Sequence, residues 1–324
     1  MKTRQIGTSG IDASVIGLGT WVMGGWRWGG SNEKESIEAI HATIDQGVSL
    51  IDTAPAYGFG LAEEILGRAI KDCREKVVLS TKCGLVWHIK QGNHFFSSEG
   101  HDVHRYLGKD AIIYDLEKSL SRLQTDYIDH YITHWQDPTT PIEETMEALV
   151  RLKEQGKIRS IGISNASVED LKEYQAHGVV DAIQEKYNML DRGLESTLIP
   201  LCRATHVSVL SYASLATGLL TGTMDPDREF QGDDQRIGNP RFSPENRKKI
   251  LAFFEKLAPI AEKYQLSPAQ LVIAWTIAQP GITFALCGAR TARQAMENAR
   301  AGQVLPDTGD MVKIDKMVKE ISGI

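Results

Sequence analysis

Cysteine is scarce and unpaired in this chain. Cys73, Cys83, Cys202 and Cys287 lie far apart with no C-x-x-C pair, which excludes a disulfide framework and reads as reduced thiols. No apolar run approaches the ~20 residues of a membrane span. Met1 to Thr20 lacks the apolar block of a signal peptide, so the cytoplasm is the expected address. There is no basic excess either. Thirty-six Lys and Arg against 42 Asp and Glu give a net charge of −6. That excludes a broad nucleic-acid surface but leaves room for one local anion pocket. A G-x-G-x-x-G turn is also missing: Gly17-Leu18-Gly19-Thr20-Trp21 breaks the pattern after the first apolar run, which argues against an open dinucleotide-binding sheet.

What the chain does have is alternation. With 42% hydrophobic residues in 324, a sizeable core is available. Short β-branched runs predict strands at Val15–Leu18, Leu50–Asp52, Val77–Thr81, Tyr127–Thr133, Ile158–Ser164, Ala182–Glu185, Ser208–Tyr212 and Thr283–Cys287. Between them lie helix patterns at Asn32–Gln46, Ala62–Ile70, Lys109–Leu123, Ile142–Gln155, Val168–His177 and Pro268–Ala278, with further helices at Ala292–Ala301 and Met311–Ile321. Ser31 and the Ser167/Asp170 pair read as helix starts, and Gly47, Gly156 and Gly178 as helix stops. Eight apolar strands separated by helices predict a closed (β/α)8 TIM barrel, one α/β domain over residues 1–324. Thr3–Gly7 and Ile11–Ser14, flanking Thr8-Ser9-Gly10, predict an N-terminal β-hairpin at the barrel's bottom.

Barrels place chemistry at the C-terminal ends of their strands. There the sequence sets Asp52, Lys82, His134 and Ser164-Asn165, with Tyr57 five residues past Asp52. A phenol has a reference pKa of about 10. A lysine beside it lowers that value, and a carboxylate fixes the lysine. The set reads as a device for protonating an oxygen, which is what a carbonyl needs while it accepts a hydride. His130 shares the parity of His134 but lies deeper in its strand. Long connections at Cys83–Gly108 and Ala213–Arg241, and the tail from Gly302, are the expected pocket walls. Their Arg, Asp and His content points weakly to a polar or anionic substrate. His88, His94, His101 and His104 read as loop residues rather than a metal site. Trp21, Trp26 and Trp28 either cap the substrate pocket or pack the barrel rim.

With these residues in place the chain resembles an aldo-keto reductase over nearly its whole length. Gly47-x-x-x-Ile51-Asp52-Thr53-Ala54-x-x-Tyr57-Gly58, followed by Glu63 and Gly67, is similar to the family's most specific signature. Tyr131-Ile132-Thr133-His134-Trp135 is similar to its fourth-strand histidine motif, with Gln136 where proline is common. Gly162-Ile163-Ser164-Asn165, Gln184, Ser211-Tyr212 with Leu215, and Gly288-Ala289-Arg290 with Gln294 and Asn298 resemble its dinucleotide site. Pro55-Ala56 before Tyr57 suits the bacterial and potassium-channel beta-subunit-like branches.

The resemblance implies reversible, NADPH-preferring reduction of an aldehyde or ketone, small and polar or sugar-like. Tyr57 would donate the proton, Lys82 and Asp52 would lower its pKa, and His134 would orient the carbonyl. Ser164, Asn165 and Gln184 would hold the nicotinamide carboxamide, with Tyr212 stacked on the ring. Gly19, Thr20, Trp21, Asp52, Ala213, Ser214, Leu215, Gly218, Leu219, Gly288, Gln294 and Asn298 would complete the cofactor site. Arg290, just past the last strand and at the start of a helix, is placed for a 2′-phosphate, although a carboxylate partner would also suit it. Trp21, Tyr57, Trp87, His134 and Trp135 would contact the substrate. Two alternatives stay open: a redox-sensing regulatory subunit with little turnover, and a barrel enzyme using Lys82 as a Schiff base. The expected partner is a small carbonyl compound, with no metal, nucleic acid or membrane. A homo-oligomer is left open.

Overall fold

The computed structural model describes residues 1–324, and its centre is a closed barrel of eight parallel strands. In chain order the strands are β1 (Thr3–Gln5), β2 (Asp12–Ser14), β3 (Ile16–Gly19), β4 (Leu50–Asp52), β5 (Val78–Cys83), β6 (Leu85–Val86), β7 (Asn93–Ser98), β8 (His101–Arg105), β9 (Ile128–Thr133), β10 (Ile158–Ser164), β11 (Ala182–Lys186), β12 (Ser208–Tyr212) and β13 (Phe284–Gly288). The barrel runs β3-β4-β5-β9-β10-β11-β12-β13 and closes where Gly288 pairs with Gly19. The helices are α1 (Glu33–Asp45), α2 (Leu61–Ile70), α3 (Lys109–Leu123), α4 (Ile142–Glu154), α5 (Val168–His177), α6 (Leu198–Ala204), α7 (Pro244–Lys263), α8 (Pro268–Ala278), α9 (Ala292–Ala301) and α10 (Thr308–Val318). No helix is long and apolar enough to cross a membrane.

All eight expected barrel strands are present, with one shift that matters. Lys82 lies inside β5 rather than beyond it, so its side chain rises within the barrel instead of at the rim. Sequence periodicity did not resolve α6 and α7. Pro200 interrupts the first, and Pro259 lies inside the second, where a proline reads as a breaker. The start of α1 is set by Asn32 rather than Ser31, since the Asn32 side chain accepts from the Glu35 N–H. Ser167 and Asp170 do form a reciprocal capping box. Gly47 and Gly156 take the left-handed conformation, whereas Gly178 is extended.

The hairpin β1–β2 plugs the bottom. Ile6 is fully buried among Leu50, Ala182, Leu210 and Phe284, residues at or near the starts of the barrel strands. The Arg4 guanidinium donates to the carbonyls of Ile277, Ile282 and Thr283. The main apolar core lies outside the barrel, between strands and helices, while the upper interior is polar: Ser80, Lys82, His130 and Gln184 are all buried there. The connection from Cys83 to Gly108 is not a loop. It folds as a three-stranded sheet in the order β6-β8-β7.

Signature residues Glu63 and Gly67 serve helix packing. Glu63 accepts from Thr81 Oγ1 at 2.6 Å and from Arg122 Nε at 2.6 Å, locking α2 and α3 onto β5. A Cβ on Gly67 would stand 2.4 Å from the Arg122 carbonyl oxygen. Gly67→Ala therefore sets a helix-propensity gain of about 1 kcal/mol against a backbone clash. We expect a net loss of about 1–3 kcal/mol by denaturant unfolding, the usual overpacking cost; a stabilised variant would show that α2 and α3 are free to separate.

Candidate active site

Strand register brings the polar residues together. Asp52 pairs with Gly19 on one side and Ser80 on the other, and Lys82 rises two residues above Ser80 on the same interior face. The Lys82 Nζ donates to Asp52 Oδ2 at 2.7 Å, to the Thr53 carbonyl at 2.7 Å and to the Tyr57 hydroxyl at 3.1 Å. All three ammonium hydrogens are thus used, and Lys82 has no solvent exposure. It is not presented as a Schiff-base nucleophile. Asp52 accepts in addition from Ser80 Oγ at 3.0 Å and from Gln184 Nε2 at 2.8 Å. Ser80 was not singled out in the sequence; only the register places it beside Asp52. The exit of β5 is fixed by Asp115, whose carboxylate accepts from the Gly84 N–H at 3.0 Å.

Tyr57 carries the network to the surface of a cleft. Its ring stacks on Trp21 with centroids 6.0 Å apart, and His134 meets it edge-on at 5.9 Å. Burial raises the Tyr57 phenol above its ordinary value; Lys82 pulls it down and Asp52 pushes it up, with the net shift upward. The sequence expectation of a lowered phenol is corrected here, because desolvation outweighs the ammonium. For Lys82 burial works against the charge, yet Asp52 and Tyr57 carry its value above that of free lysine. His134 is held well below an ordinary histidine by burial and by the Lys82 charge, and is neutral. His130 is deeper and fully buried, its Nδ1 on Ser160 Oγ at 2.8 Å, and burial pushes it down to about 3.

The cleft measures about 2020 Å³, against roughly 300–1,000 Å³ for an ordinary small-molecule pocket. Its lining holds two kinds of side chain. Beside Tyr57 and His134 the wall is aromatic: Trp21, Trp26, Phe95, Phe96 and Trp135. Trp26 stacks on Phe96 at 4.9 Å and donates from Nε1 to Ser98 Oγ, which docks the β7–β8 hairpin over the site. Arg228, Arg236 and Arg290 also line the cleft, the last two with their guanidinium carbons 5.4 and 5.9 Å from the Trp28 ring centroid. Burial and the Arg236 charge press on the Arg290 guanidinium, and Asp234 compensates in part. Arg290 also donates to the Trp28 carbonyl. Trp28 in turn packs on Trp21, so the three tryptophans both pack the rim and line the cleft.

Gly19, Trp21, Ser164, Asn165, Gln184, Tyr212, Ala213, Ser214, Leu215, Gly218, Gly288, Arg290, Gln294 and Asn298 all face this cleft. Three expected contacts do not. Thr20 and Leu219 are fully buried, and Trp87 meets Phe59 edge-on at 5.3 Å. Gln136, the departure from the fourth-strand pattern, donates from Nε2 to the Ser164 carbonyl at 3.0 Å and so ties the end of β9 to that of β10. Of the four loop histidines, His94 and His104 meet edge-on at 5.5 Å, His88 stacks on Tyr114 and His101 lies against Phe59; no group of three or more His, Cys, Asp or Glu side chains converges as a metal site.

The donors fit a nicotinamide dinucleotide. Guanidinium groups and the N-terminus of α9, capped by Thr291, suit phosphates at one end. Amide and hydroxyl side chains suit a carboxamide at the other.

Comparison with known proteins agrees with this geometry. The Aldo/keto reductase family model matches residues 15–319. The chain is 44% identical over 293 residues to the aldo-keto reductase YhdN of Bacillus subtilis, covering 90% of this chain and 85% of that protein. It is 38% identical to the NADH-specific methylglyoxal reductase of Escherichia coli, covering 99% of each. Among solved structures, the glycerol dehydrogenase AKR11B4 of Gluconobacter oxydans superposes with a TM-score of 0.88 at 34% identity, covering 98% of this chain and 95% of that one. An aldo-keto reductase of Klebsiella pneumoniae in complex with NADPH gives 0.74 at 28% identity, covering 98% and 96%. A buried Lys-Asp pair under a cleft-facing tyrosine, on a barrel with these relatives, makes the chain a member of the aldo/keto reductase family and an oxidoreductase of carbonyl and alcohol groups.

Proposed function

We propose that the protein reduces a small polar or sugar-like aldehyde or ketone with NADPH, Tyr57 giving the proton. The observation that carries this reading is the Asp52–Lys82–Tyr57 chain of hydrogen bonds ending at the cleft beside His134. When bound, the dinucleotide supplies hydride to the carbonyl carbon. As charge builds on the oxygen, the Tyr57 hydroxyl donates its proton, and the Lys82 ammonium stabilises the phenolate left behind. A phenol above its ordinary value still suffices, because an alkoxide is a much stronger base than a phenolate. His134, being neutral, donates a hydrogen bond to the carbonyl oxygen and orients it without exchanging a proton. Ser164, Asn165 and Gln184 would hold the carboxamide, Tyr212 would stack on the ring, and Gly288, Arg290, Gln294 and Asn298 would serve the phosphates.

The aromatic wall accepts the flat or C–H-bearing face of a small substrate. The Arg228, Arg236 and Asp234 side chains of the long segment after β12 line the same cleft, where the two guanidinium groups suit an anionic group. Relatives named for methylglyoxal and glycerol support a small polar compound. The cofactor admits a second reading, NADH, because one relative is named as NADH-specific; Arg290 and its neighbouring guanidinium groups favour NADPH.

Tyr57→Phe should lose more than about 100-fold in turnover, the lower range for a general acid, while NADPH still quenches tryptophan fluorescence. Wild-type-like turnover would remove Tyr57 as the donor. The raised phenol fixes the pH behaviour, since reduction needs the protonated form and oxidation the phenolate. Aldehyde reduction should hold through neutral pH and fall only above about 10, with alcohol oxidation rising over the same range. A reduction limb falling near pH 7 that disappears in Tyr57→Phe would contradict this. Arg290→Ala should weaken NADPH by about 1–3 kcal/mol, the scale of a charge-assisted hydrogen bond, and spare NADH; equal loss for both would make Arg290 structural.

A further inference from the structure

Gln184 and Glu185 are neighbours on β11 and point to opposite faces. Gln184 faces inward to Asp52. Glu185 is only 7% exposed and forms no ion pair; its Oε1 accepts from the Ala166 N–H at 2.9 Å. A buried carboxylate without a counter-charge is costly, and burial pushes this one up to about 7 even though the N–H groups of Ala166 and Asn165 pull it down.

Those N–H groups belong to an unusual turn. Asn165 has φ +53°, a left-handed conformation outside glycine. The turn aims the Asn165 side chain at three other residues. Nδ2 donates to the His134 carbonyl at 2.9 Å and to Ser164 Oγ at 3.0 Å, and Oδ1 accepts from the Tyr212 hydroxyl at 2.7 Å. One amide thus brackets the ends of β9, β10 and β12 at the place read above as the nicotinamide corner.

We propose that Glu185 is a positioning residue: its carboxylate holds the Asn165–Ala166 backbone in the left-handed turn, and through Asn165 it fixes the orientation of the nicotinamide relative to Tyr57. This rests on the reading of Ser164, Asn165 and Gln184 as carboxamide ligands. It gives Glu185 a role at one end of the cofactor only, and that distinguishes positioning from general support of the fold.

The test uses Glu185→Ala and Glu185→Gln, with NADPH and adenosine 2′,5′-bisphosphate as probes (NADH and ADP if the protein takes NADH). In Glu185→Ala, NADPH should bind about tenfold more weakly, the loss of one hydrogen bond to a charged group, while the bisphosphate binds as to wild type. Turnover with NADPH deuterated separately at each C4 position should show transfer from both faces where wild type uses one. Glu185→Gln keeps an acceptor oxygen and should restore most of the affinity and the single face. If Glu185→Ala does not fold, Glu185→Asp, which keeps the charge and withdraws the oxygen by one carbon, should show the same contrast. Equal weakening of both probes, or no change in either, would overturn the proposal. A wild-type protein that binds neither dinucleotide would instead sink the functional reading on which it rests.

Discussion

The upper half of this barrel is organised around a lysine with no access to water. Removing an ammonium and a carboxylate from solvent costs several kcal/mol per ion, and their attraction offsets this only when the remaining donors and acceptors are also satisfied. Lys82 and Asp52 meet that condition, with every Lys82 hydrogen placed and Asp52 taking Ser80 and Gln184 as well. The demand sets much of what surrounds them. Ser80 must stand level with Asp52, Gln184 must reach across from β11, and the Thr53 carbonyl must turn inward. Asp52 and Gln184 also line the cleft, but Tyr57 is the member that carries an acidic hydroxyl from the Lys82 ammonium to it, so whatever the charge pair does chemically is delivered through a phenol.

The same constraint explains why burial wins over charge at Tyr57. The dry surroundings that strengthen the lysine–aspartate attraction also penalise a phenolate. A protonated phenol held against an ammonium is a donor at rest, biased toward giving its proton to a developing alkoxide. Around it the cleft combines two kinds of recognition. Flat rings line the wall beside Tyr57, and guanidinium groups gather about Trp28. The Asp233 carboxylate accepts from the Arg27 N–H at 2.5 Å and the Gly29 N–H at 3.0 Å. The segment after β12 is thereby tied to the segment after β3.

Much of this was legible in the sequence because strands and helices leave periodic marks, and because barrel chemistry gathers at strand ends. Asp52 and His134 stand out as strand-end residues, Tyr57 by its spacing from Asp52, and Lys82 although its strand runs further than its apolar pattern; their joint role was read mostly from the resemblance. What the sequence hid depends on register or on through-space contact. Ser80 is an ordinary strand serine until its pairing with Asp52 is known. Gln136 looks like an unexplained departure until its amide meets the Ser164 carbonyl. The sheet β6-β8-β7 reads as a long loop because β6 is only two residues long and β7 and β8 are short and rich in polar residues and histidine. The direction of the Tyr57 shift was misread for a related reason: a neighbouring lysine is visible in a motif, whereas the depth of burial is not. Thr20, Leu219 and Trp87 were named from the resemblance alone, and no feature of the sequence marks them as buried or turned toward other side chains.

The central claim is that Tyr57 rests as a protonated phenol pinned by a buried ammonium. An ultraviolet difference titration of wild type against Tyr57→Phe, following the tyrosinate band with the cleft empty, tests it most directly. The account predicts that the extra ionisation in wild type appears only on the alkaline side of free tyrosine, above about 10. A tyrosinate signal belonging to Tyr57 near neutral pH would contradict it.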